Sequence, residues 1–138
     1  MRLDSSLIII GFAAILLASA AVALHAQQTE GIMQLKITLH TDKEAYRSGE
    51  TMLLSAELSE LVENATVSVR GIMDSGGSYR VQQDYMILAG SPKKQINFTF
   101  NMPSCYGCAG ISPGNYDIYA ELSGTRIANA TVAIRLEK

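Results

Sequence analysis

The sequence predicts an all-β domain of two antiparallel sheets, preceded by one apolar helix. Two observations lead to this prediction. An uncharged run of 18 residues, Leu7–Leu24, lies near the start of the chain. After Gly31 the apolar residues recur at every second position, in short segments that turn residues separate. Alternation with a period of two is typical of strands that bury one face and leave the other in water.

Seven such segments follow one another, and Gln95–Met102 shows the pattern most cleanly, with Ile96, Phe98 and Phe100 on one face. Seven short strands with frequent turns are the sequence signature of an immunoglobulin-like β-sandwich. The predicted strands are Leu35–Leu39, Thr51–Ser59, Asn64–Arg70, Ser78–Leu88, Gln95–Met102, Asn115–Ser123 and Asn129–Leu136.

The segments between and within these strands are less regular. Asp42–Glu50 is predicted to be a turn region, because it is polar and contains Ser-Gly. The fourth strand is weaker, with Tyr79 and Val81 on one face and a bulge near Gln82–Gln83. Pro103–Gly114 is predicted to be a compact loop.

The chain of 138 residues is long enough for one such domain. We expect a signal peptide or signal-anchor helix at 1–26, a polar tether at 27–33 and the β-sandwich at 34–138. A domain of about 105 residues buries roughly two-thirds of its unfolded surface, which is enough for a real core.

The apolar run has two interpretations. Arg2 and the small residues in Ala21–Ala23 or Leu24–Ala26 fit a signal peptide with a cleavage site. The length of 18 residues instead approaches the roughly 20 that cross a bilayer core. Both interpretations deliver the β-domain to the outside. The predicted location is the cell membrane, with a single pass and an extracellular C-terminal domain; the alternative is secretion.

Two motifs resemble a known group of proteins. Thr41–Glu50 reads TDKEAYRSGE and resembles the T-D-K-x-x-Y-x-x-G-E opening of prokaryotic, archaeal-type cell-surface Ig-like domains of the macroglobulin and adhesion kinds. Pro113–Tyr116 is similar to their closing P-G-x-Y motif. The resemblance implies a β-sandwich in which Tyr116 packs at the corner between the sheets. It implies little about function, since this fold has many roles.

Three tripeptides match the acceptor motif for N-linked glycan, Asn-x-Ser/Thr, at Asn64, Asn97 and Asn129. The residue after each asparagine is apolar and belongs to an inward-facing set, so alternation directs each asparagine to solvent. We therefore predict three glycosylation sites, provided that the cell glycosylates proteins outside the membrane. The alternative is that asparagine and threonine simply populate the wet faces of strands.

Cys105 and Cys108 are separated by two residues in the long loop. In an oxidising exterior two cysteines this close predict a disulfide, which would stiffen the loop. Tyr106, Gly107 and Gly110 then form a candidate binding loop, because an exposed aromatic side chain on a rigid loop is a suitable anchor. A thiol-redox role is a weaker alternative, since it needs the motif at a helix N-terminus.

The sequence predicts no catalytic residue, no metal site and no cofactor. His40 is the one histidine within the predicted domain, and alternation places it on a wet strand face without a nucleophile in reach. A zinc site needs two more Cys or His ligands beside the two cysteines, and of the two histidines His25 borders the apolar run, which leaves only His40 in the predicted domain. The 13 acidic and 11 basic residues are spread without runs, so a nucleic acid is not an expected partner.

These features together predict a non-enzymatic, membrane-tethered module that contacts other envelope proteins or mediates adhesion. The alternative is a subunit of an archaeal surface filament or of its envelope stator, since such proteins also join an apolar N-terminal helix to a β-sandwich. The segment Met1–Gly11 lacks the basic-Gly processing site of such filament proteins.

Overall fold

The computed structural model describes residues 34–105 and 110–138 of the chain. The predicted helix at 1–26 and the predicted tether at 27–33 lie outside these ranges, and so does the centre of the long loop. Leu35–Lys138 forms one compact unit. Within the described ranges, no helix is long and apolar enough to cross a bilayer.

The described residues form eight strands, and each of the seven predicted strands is among them with ends that differ by at most three residues. The strands are β1 Ile37–Thr41, β2 Ala45–Arg47, β3 Thr51–Val62, β4 Ala65–Met73, β5 Tyr79–Ile87, β6 Lys93–Asn101, β7 Gly114–Ser123 and β8 Ala128–Glu137.

The strands form two sheets, which confirms the predicted all-β sandwich. One sheet has the order β1-β3-β6, and the other has the order β2-β8-β7-β4-β5. In immunoglobulin-like terms, β1, β3 and β6 occupy the places of strands A, B and E, whereas β4, β7 and β8 occupy those of C, F and G. All pairings are antiparallel except the one between β2 and β8.

The prediction of a turn throughout Asp42–Glu50 is wrong at its centre. Ala45–Arg47 forms β2, which runs parallel to β8 with Tyr46 opposite Leu136. Three residues are too few to show a period of two. This strand forms because β8 supplies the backbone partners, which lie about 90 residues away in sequence.

The alternating residues of both sheets meet in a single core. The positions predicted to face inward on β3, β4 and β6 are all buried, and those on β7 and β8 are buried or partly buried. No charged side chain of the described residues is buried. Burial of one large aliphatic side chain contributes roughly 1.5–3 kcal/mol, so this core is the main source of stability.

Alternation fails at the end of β4. Gly71 and Ile72 are both buried, and Ile72 has a φ of 47°, which is strained for a β-branched residue. A Cβ on Gly71 would lie 2.3 Å from Cδ1 of Ile118 on β7. The side chain of Ile118 therefore fills the space that Gly71 leaves empty.

The irregular backbone lies beside the one predicted strand whose inward-facing residues differ from the prediction, which placed Tyr79 and Val81 on one face. Val81 is fully buried, but Tyr79, which lies opposite Met73 beyond the irregular position, is 40% exposed. The predicted bulge near Gln82–Gln83 is wrong, because the register between β4 and β5 is unbroken. A register shift occurs instead between Glu57 and Val62, where β3 pairs with β6.

The segment between β1 and β2 carries the chain from one sheet to the other, and Asp42 organises it. Its Oδ1 accepts hydrogen bonds from Tyr46 Oη (2.6 Å) and from the N–H of Leu53 (2.8 Å). The Tyr46 hydroxyl also accepts a hydrogen bond from the N–H of Lys43 at 2.9 Å. The buried tyrosine therefore has its one polar group satisfied as both donor and acceptor.

The second half of this segment is fixed in the same way. Lys43 Nζ pairs with Oε1 of Glu50, and Glu50 Oε2 accepts the N–H of Arg47 at 2.8 Å. Gly49, with a φ of 76°, donates its N–H to the carbonyl of Met102 at 3.0 Å. The residues of the T-D-K-x-x-Y-x-x-G-E motif thus hold the chain in place where it passes from one sheet to the other. The motif therefore has a structural role.

Tyr116 lies where the resemblance implies. It stands near the start of β7, is partly buried against the core and donates its hydroxyl to the carbonyl oxygen of Ser112 at 2.6 Å. A hydrogen bond from a tyrosine at this position to the backbone upstream is the tyrosine corner of immunoglobulin-like domains.

The strand registers define two ends of the sandwich. Ile37 lies opposite Leu58, so the start of β1 is beside the end of β3, and the β3–β4, β5–β6 and β7–β8 connections lie at this same end. We name it the entry end; it comprises residues 35–37, 59–65, 87–94 and 123–128. The opposite, far end carries the crossover segment, the β4–β5 turn and the long loop.

The crossover network gives a prediction for Tyr46→Phe. Removal of the hydroxyl leaves the N–H of Lys43 unpaired and takes one donor from Asp42, so we expect a loss of about 1–3 kcal/mol in the free energy of unfolding. Urea denaturation at pH 7 measures this loss. Leu53→Thr, which changes a half-exposed side chain on β3, is the control.

The pH dependence of the same variant provides a second readout. Burial, and then the hydrogen bond to Asp42, raises the pKa of Tyr46 to about 12. A pKa that is higher in the folded state gives stability that is complete below the unfolded value near 10 and is lost as the pH rises through 12. Tyr46→Phe lacks this loss, so the difference from wild type should shrink over that interval. A constant difference would contradict the assignment.

Gly71→Ala tests the close packing of β4 on β7. We expect a loss of roughly 1–3 kcal/mol, because the new methyl group overlaps Ile118 Cδ1. Ile118→Val removes that atom at a cost of about 0.5–1.5 kcal/mol, so Gly71→Ala should cost less when it is combined with Ile118→Val. Equal costs in both backgrounds, from denaturation of all four proteins, would show that the overlap is not the cause.

Candidate interaction surface

The predicted disulfide and the predicted binding loop lie largely outside the described residues. Cys108, Tyr106 and Gly107 are in the segment that the structure does not describe, so the pairing of Cys108 with Cys105 remains a prediction. The structure describes the two ends of the loop, residues 103–105 and 110–114, which we call its bases.

Each loop base is held by a serine. The N–H of Cys105 donates to Ser48 Oγ at 2.8 Å, and that hydroxyl contacts the carbonyl of Pro103 at 3.4 Å. On the other side, the N–H of Ser75 donates to the carbonyl of Gly110 at 3.2 Å. Gly110 has a φ of 65° and packs so closely on Ser75 that a Cβ would lie 2.2 Å from its Oγ. The predicted loop therefore begins and ends on fixed points of the far end.

The three predicted glycosylation sites are exposed, but they occupy different settings. Asn97 is on the outer face of β6, where it accepts a hydrogen bond from Gln95 Nε2 at 3.2 Å. Asn129 is on the outer face of β8, opposite Glu121. Asn64 precedes β4 in the turn at the entry end, with a φ of 57° that asparagine tolerates better than most residues. Their exposure agrees with the alternation argument, whereas modification itself remains a prediction.

His40 lies on an exposed strand face, as alternation predicts, and its Nε2 is 3.9 Å from a carboxylate oxygen of Glu57. Within the described ranges, no three His, Cys, Asp or Glu side chains come together in a way that would hold a metal ion. Glu63 is in the turn after β3, where its Oε2 accepts the N–H of Gly90 at 2.7 Å.

The outer face of the five-stranded sheet carries a shallow groove of about 590 Å³. We name it the sheet groove. The strand registers place Arg70 of β4 opposite Tyr119 of β7, and Tyr119 opposite Thr131 of β8. The residues that line it are Ser68, Arg70, Tyr79, Tyr119, Ala120, Glu121, Asn129, Ala130 and Thr131.

Charged and aromatic groups are combined in the sheet groove. Arg70 Nη1 binds Asp84 Oδ1 on β5 at 2.9 Å and also donates to the carbonyl of Val69 at 2.9 Å. The hydrogen bond from Arg70, and then one from Ser68, lowers the pKa of Asp84 below its usual value. The guanidinium is therefore held in place by a charged partner. Beside it, the half-exposed ring of Tyr119 offers an aromatic face to solvent.

The sequence analysis did not select this surface. Alternation places Tyr119 and Arg70 on wet faces, but it does not indicate that β4 and β7 are neighbours with these two residues in one row. That information lies in the pairing of strands about 50 residues apart. Tyr79 joins the sheet groove only because the chain is irregular at Ile72, for which the sequence gives no signal.

The domain has low similarity to several solved structures, and neither a protein-family model nor a curated protein matches its sequence. The sporulation control protein Spo0M of Bacillus subtilis is 19% identical over 78% of this chain and 51% of Spo0M, with a TM-score of 0.47. This chain thus spans about half of that structure.

Two further structures are similar at the same level. The CARDB domain of the PF1109 protein from Pyrococcus furiosus, solved in complex with di-metal ions, is 15% identical over 75% of this chain and 88% of that one, with a TM-score of 0.45. A chitin-binding domain from Burkholderia pseudomallei is 11% identical over 70% and 57% of the two chains, with a TM-score of 0.48. At these values the similarity assigns no function.

The position of Tyr119 gives a prediction about stability. Its ring is half-exposed, so Tyr119→Thr, which keeps a strand-forming residue, should change the free energy of unfolding by less than about 0.5 kcal/mol. Urea denaturation beside Ile118→Ala, which should cost about 2–5 kcal/mol, checks this. A large loss in Tyr119→Thr would show that the ring is part of the packing and is not available to a partner.

Proposed function

We propose that this protein is a non-catalytic, membrane-tethered module that contacts another envelope protein through the sheet groove. One observation supports this function above the others. Two exposed tyrosines and one arginine, Tyr79, Tyr119 and Arg70, lie together on the outer face of a rigid sheet. Tyrosine and arginine are the residue types that, with tryptophan, dominate binding energy at protein interfaces.

The geometry lowers the cost of binding at this surface. Arg70 is already held by Asp84, and the strand backbone around Tyr119 is paired on both sides. Association therefore has to order fewer side chains of this protein and none of its loops. Ordering of this kind is a main cost of binding. The groove is open and shallow, which suits a protein surface better than a small ligand.

An exterior location is supported by the sequence and by the surface. The run Leu7–Leu24 is long and apolar enough for a bilayer span, and the three glycosylation motifs are exposed on the domain. Asn129 lines the sheet groove, so a glycan on Asn129 and a protein partner would occupy the same space. The proposed contact is therefore made by chains that are unmodified at Asn129.

A filament or stator subunit is the second candidate, and one observation favours it. Strand β5 forms one edge of the five-stranded sheet, and its nine residues keep an unbroken register with β4. An edge strand of this length offers unpaired backbone groups to a strand from another chain. Such an assembly would join copies of this protein through β5 and leave the sheet groove free.

Crosslinking in native membranes tests the proposed function. The wild-type chain is compared with the double variant Arg70→Gln/Tyr119→Thr and with Leu53→Thr, a matched control on the outer face of the other sheet. We expect one envelope protein to be crosslinked to the wild type and to the control, and its yield to fall at least tenfold in the double variant. If the native chain carries a glycan on Asn129, Asn129→Gln should raise the yield of the crosslinked product.

Two results would contradict this function. Recovery of the uncrosslinked monomer from all three proteins would refute the contact. Products that consist of copies of this chain alone, and that persist in the double variant, would favour the filament subunit.

A further inference from the structure

The entry end carries the most exposed large hydrophobic side chains among the described residues. Eight large hydrophobic side chains of the described residues are exposed, and the four most exposed of them lie at or beside this end. They are Leu61 (64% exposed), Met86 (68%), Leu88 (61%) and Ile127 (72%). Single exposed hydrophobic residues need no explanation, but a group at one end of a domain marks a contact surface.

These four side chains belong to segments that touch one another. Met86 and Leu88 line one groove together with Gly124 of the β7–β8 turn. Arg126 of the same turn pairs with the carboxylate of Glu60, which is the neighbour of Leu61 in β3. The turn that carries Ile127 is therefore fixed against the end of β3, so the four residues belong to the same end of the domain.

Basic residues surround this surface. The chain as a whole has a net charge of −2, but four basic and two acidic side chains belong to the entry end. One acid, Glu60, pairs with Arg126. The three lysines have no carboxylate within 4.0 Å among the described residues. The charged residues of the entry end are Lys36, Lys93, Lys94, Arg126, Glu60 and Glu63.

The described chain enters the domain at the entry end, since residues 35–37 belong to it. Seven tether residues, 27–33, span at most about 25 Å when extended. Strand β3 has 12 residues and is therefore about 40 Å long. The tether is too short for the far end to replace the entry end at the bilayer surface while the domain stands upright.

We propose that the entry end rests on the bilayer, with its four apolar side chains in the headgroup region and its lysines against anionic lipid headgroups. This inference rests on the membrane tether of the proposed function. Apolar side chains with basic neighbours are the combination that binds a membrane interface. The tether keeps the surface at high local concentration near lipid, so a small apolar area is sufficient. The contact would hold the domain upright and turn the sheet groove sideways, toward neighbouring proteins.

Fluorescence quenching in vesicles tests this contact. The full chain, with Cys105 and Cys108 replaced by serine, is given a single cysteine by Leu88→Cys, by Ile127→Cys or by the control Leu53→Cys, which also replaces a half-exposed side chain. Each cysteine is labelled with an environment-sensitive fluorophore. The proteins are then reconstituted in vesicles of phosphatidylcholine and phosphatidylglycerol that contain a lipid with a nitroxide headgroup.

We expect the labels at 88 and 127 to be quenched at least threefold more than the label at 53. This difference in quenching should be smaller in vesicles of phosphatidylcholine alone, which lack anionic headgroups. Flotation of the same samples measures the tether separately. Proteins that float with the vesicles but show equal quenching at the three positions would overturn the contact and leave the tether intact. Proteins that do not float would overturn both.

The native protein gives an independent check. Asn64 lines the same groove as Met86 and Leu88, so a glycan there would separate the entry end from lipid. The contact therefore requires Asn64 to be unmodified, although the sequence motif predicts a site. Peptide mass spectrometry should find Asn64 bare in protein from native membranes. An occupied Asn64 would overturn the contact without bearing on the sheet groove.

Discussion

The hydrogen bond from Tyr46 to Asp42 is the constraint on which the two-layer arrangement depends. A sandwich needs its chain to pass from one sheet to the other, and here the passage takes three residues between β1 and β2. The buried ring of Tyr46 belongs to the core, while its hydroxyl reaches the carboxylate that also caps the N–H of Leu53. One side chain thus joins apolar packing to the backbone of the crossover, and it belongs to the strand that pairs with β8.

The architecture separates stability from recognition. Apolar side chains from both sheets fill the core, and no charged side chain of the described residues is buried. The outer faces are consequently free to differ from one another without cost to the fold. The sheet groove combines Arg70 and Tyr119 on one face, the far end fixes both bases of the long loop, and the entry end is apolar with a basic surround. Three surfaces with different chemistry therefore share one scaffold.

Prediction from the sequence succeeded where a segment carries its own signal. The seven longer strands and their inward residues follow from a period of two, because burial of one strand face imposes that period whatever the partner strand is. It failed where the signal lies in another part of the chain. Strand β2 exists because β8 pairs with it, and the exposed Tyr79 lies opposite Met73, just beyond the irregular backbone at Ile72. Neither effect leaves a pattern within about ten residues.

The sequence alone therefore determined the seven longer strands, most of their core-facing residues and the exposed positions of Asn64, Asn97 and Asn129, since each is a local consequence of alternation. The tertiary structure decided which strands are neighbours. That choice brings Arg70, Tyr119 and Thr131 into one row and gathers Leu61, Leu88 and Ile127 at one end. Surfaces of this kind are assembled from residues far apart in the chain, and only the packing of two sheets around a shared core brings them together.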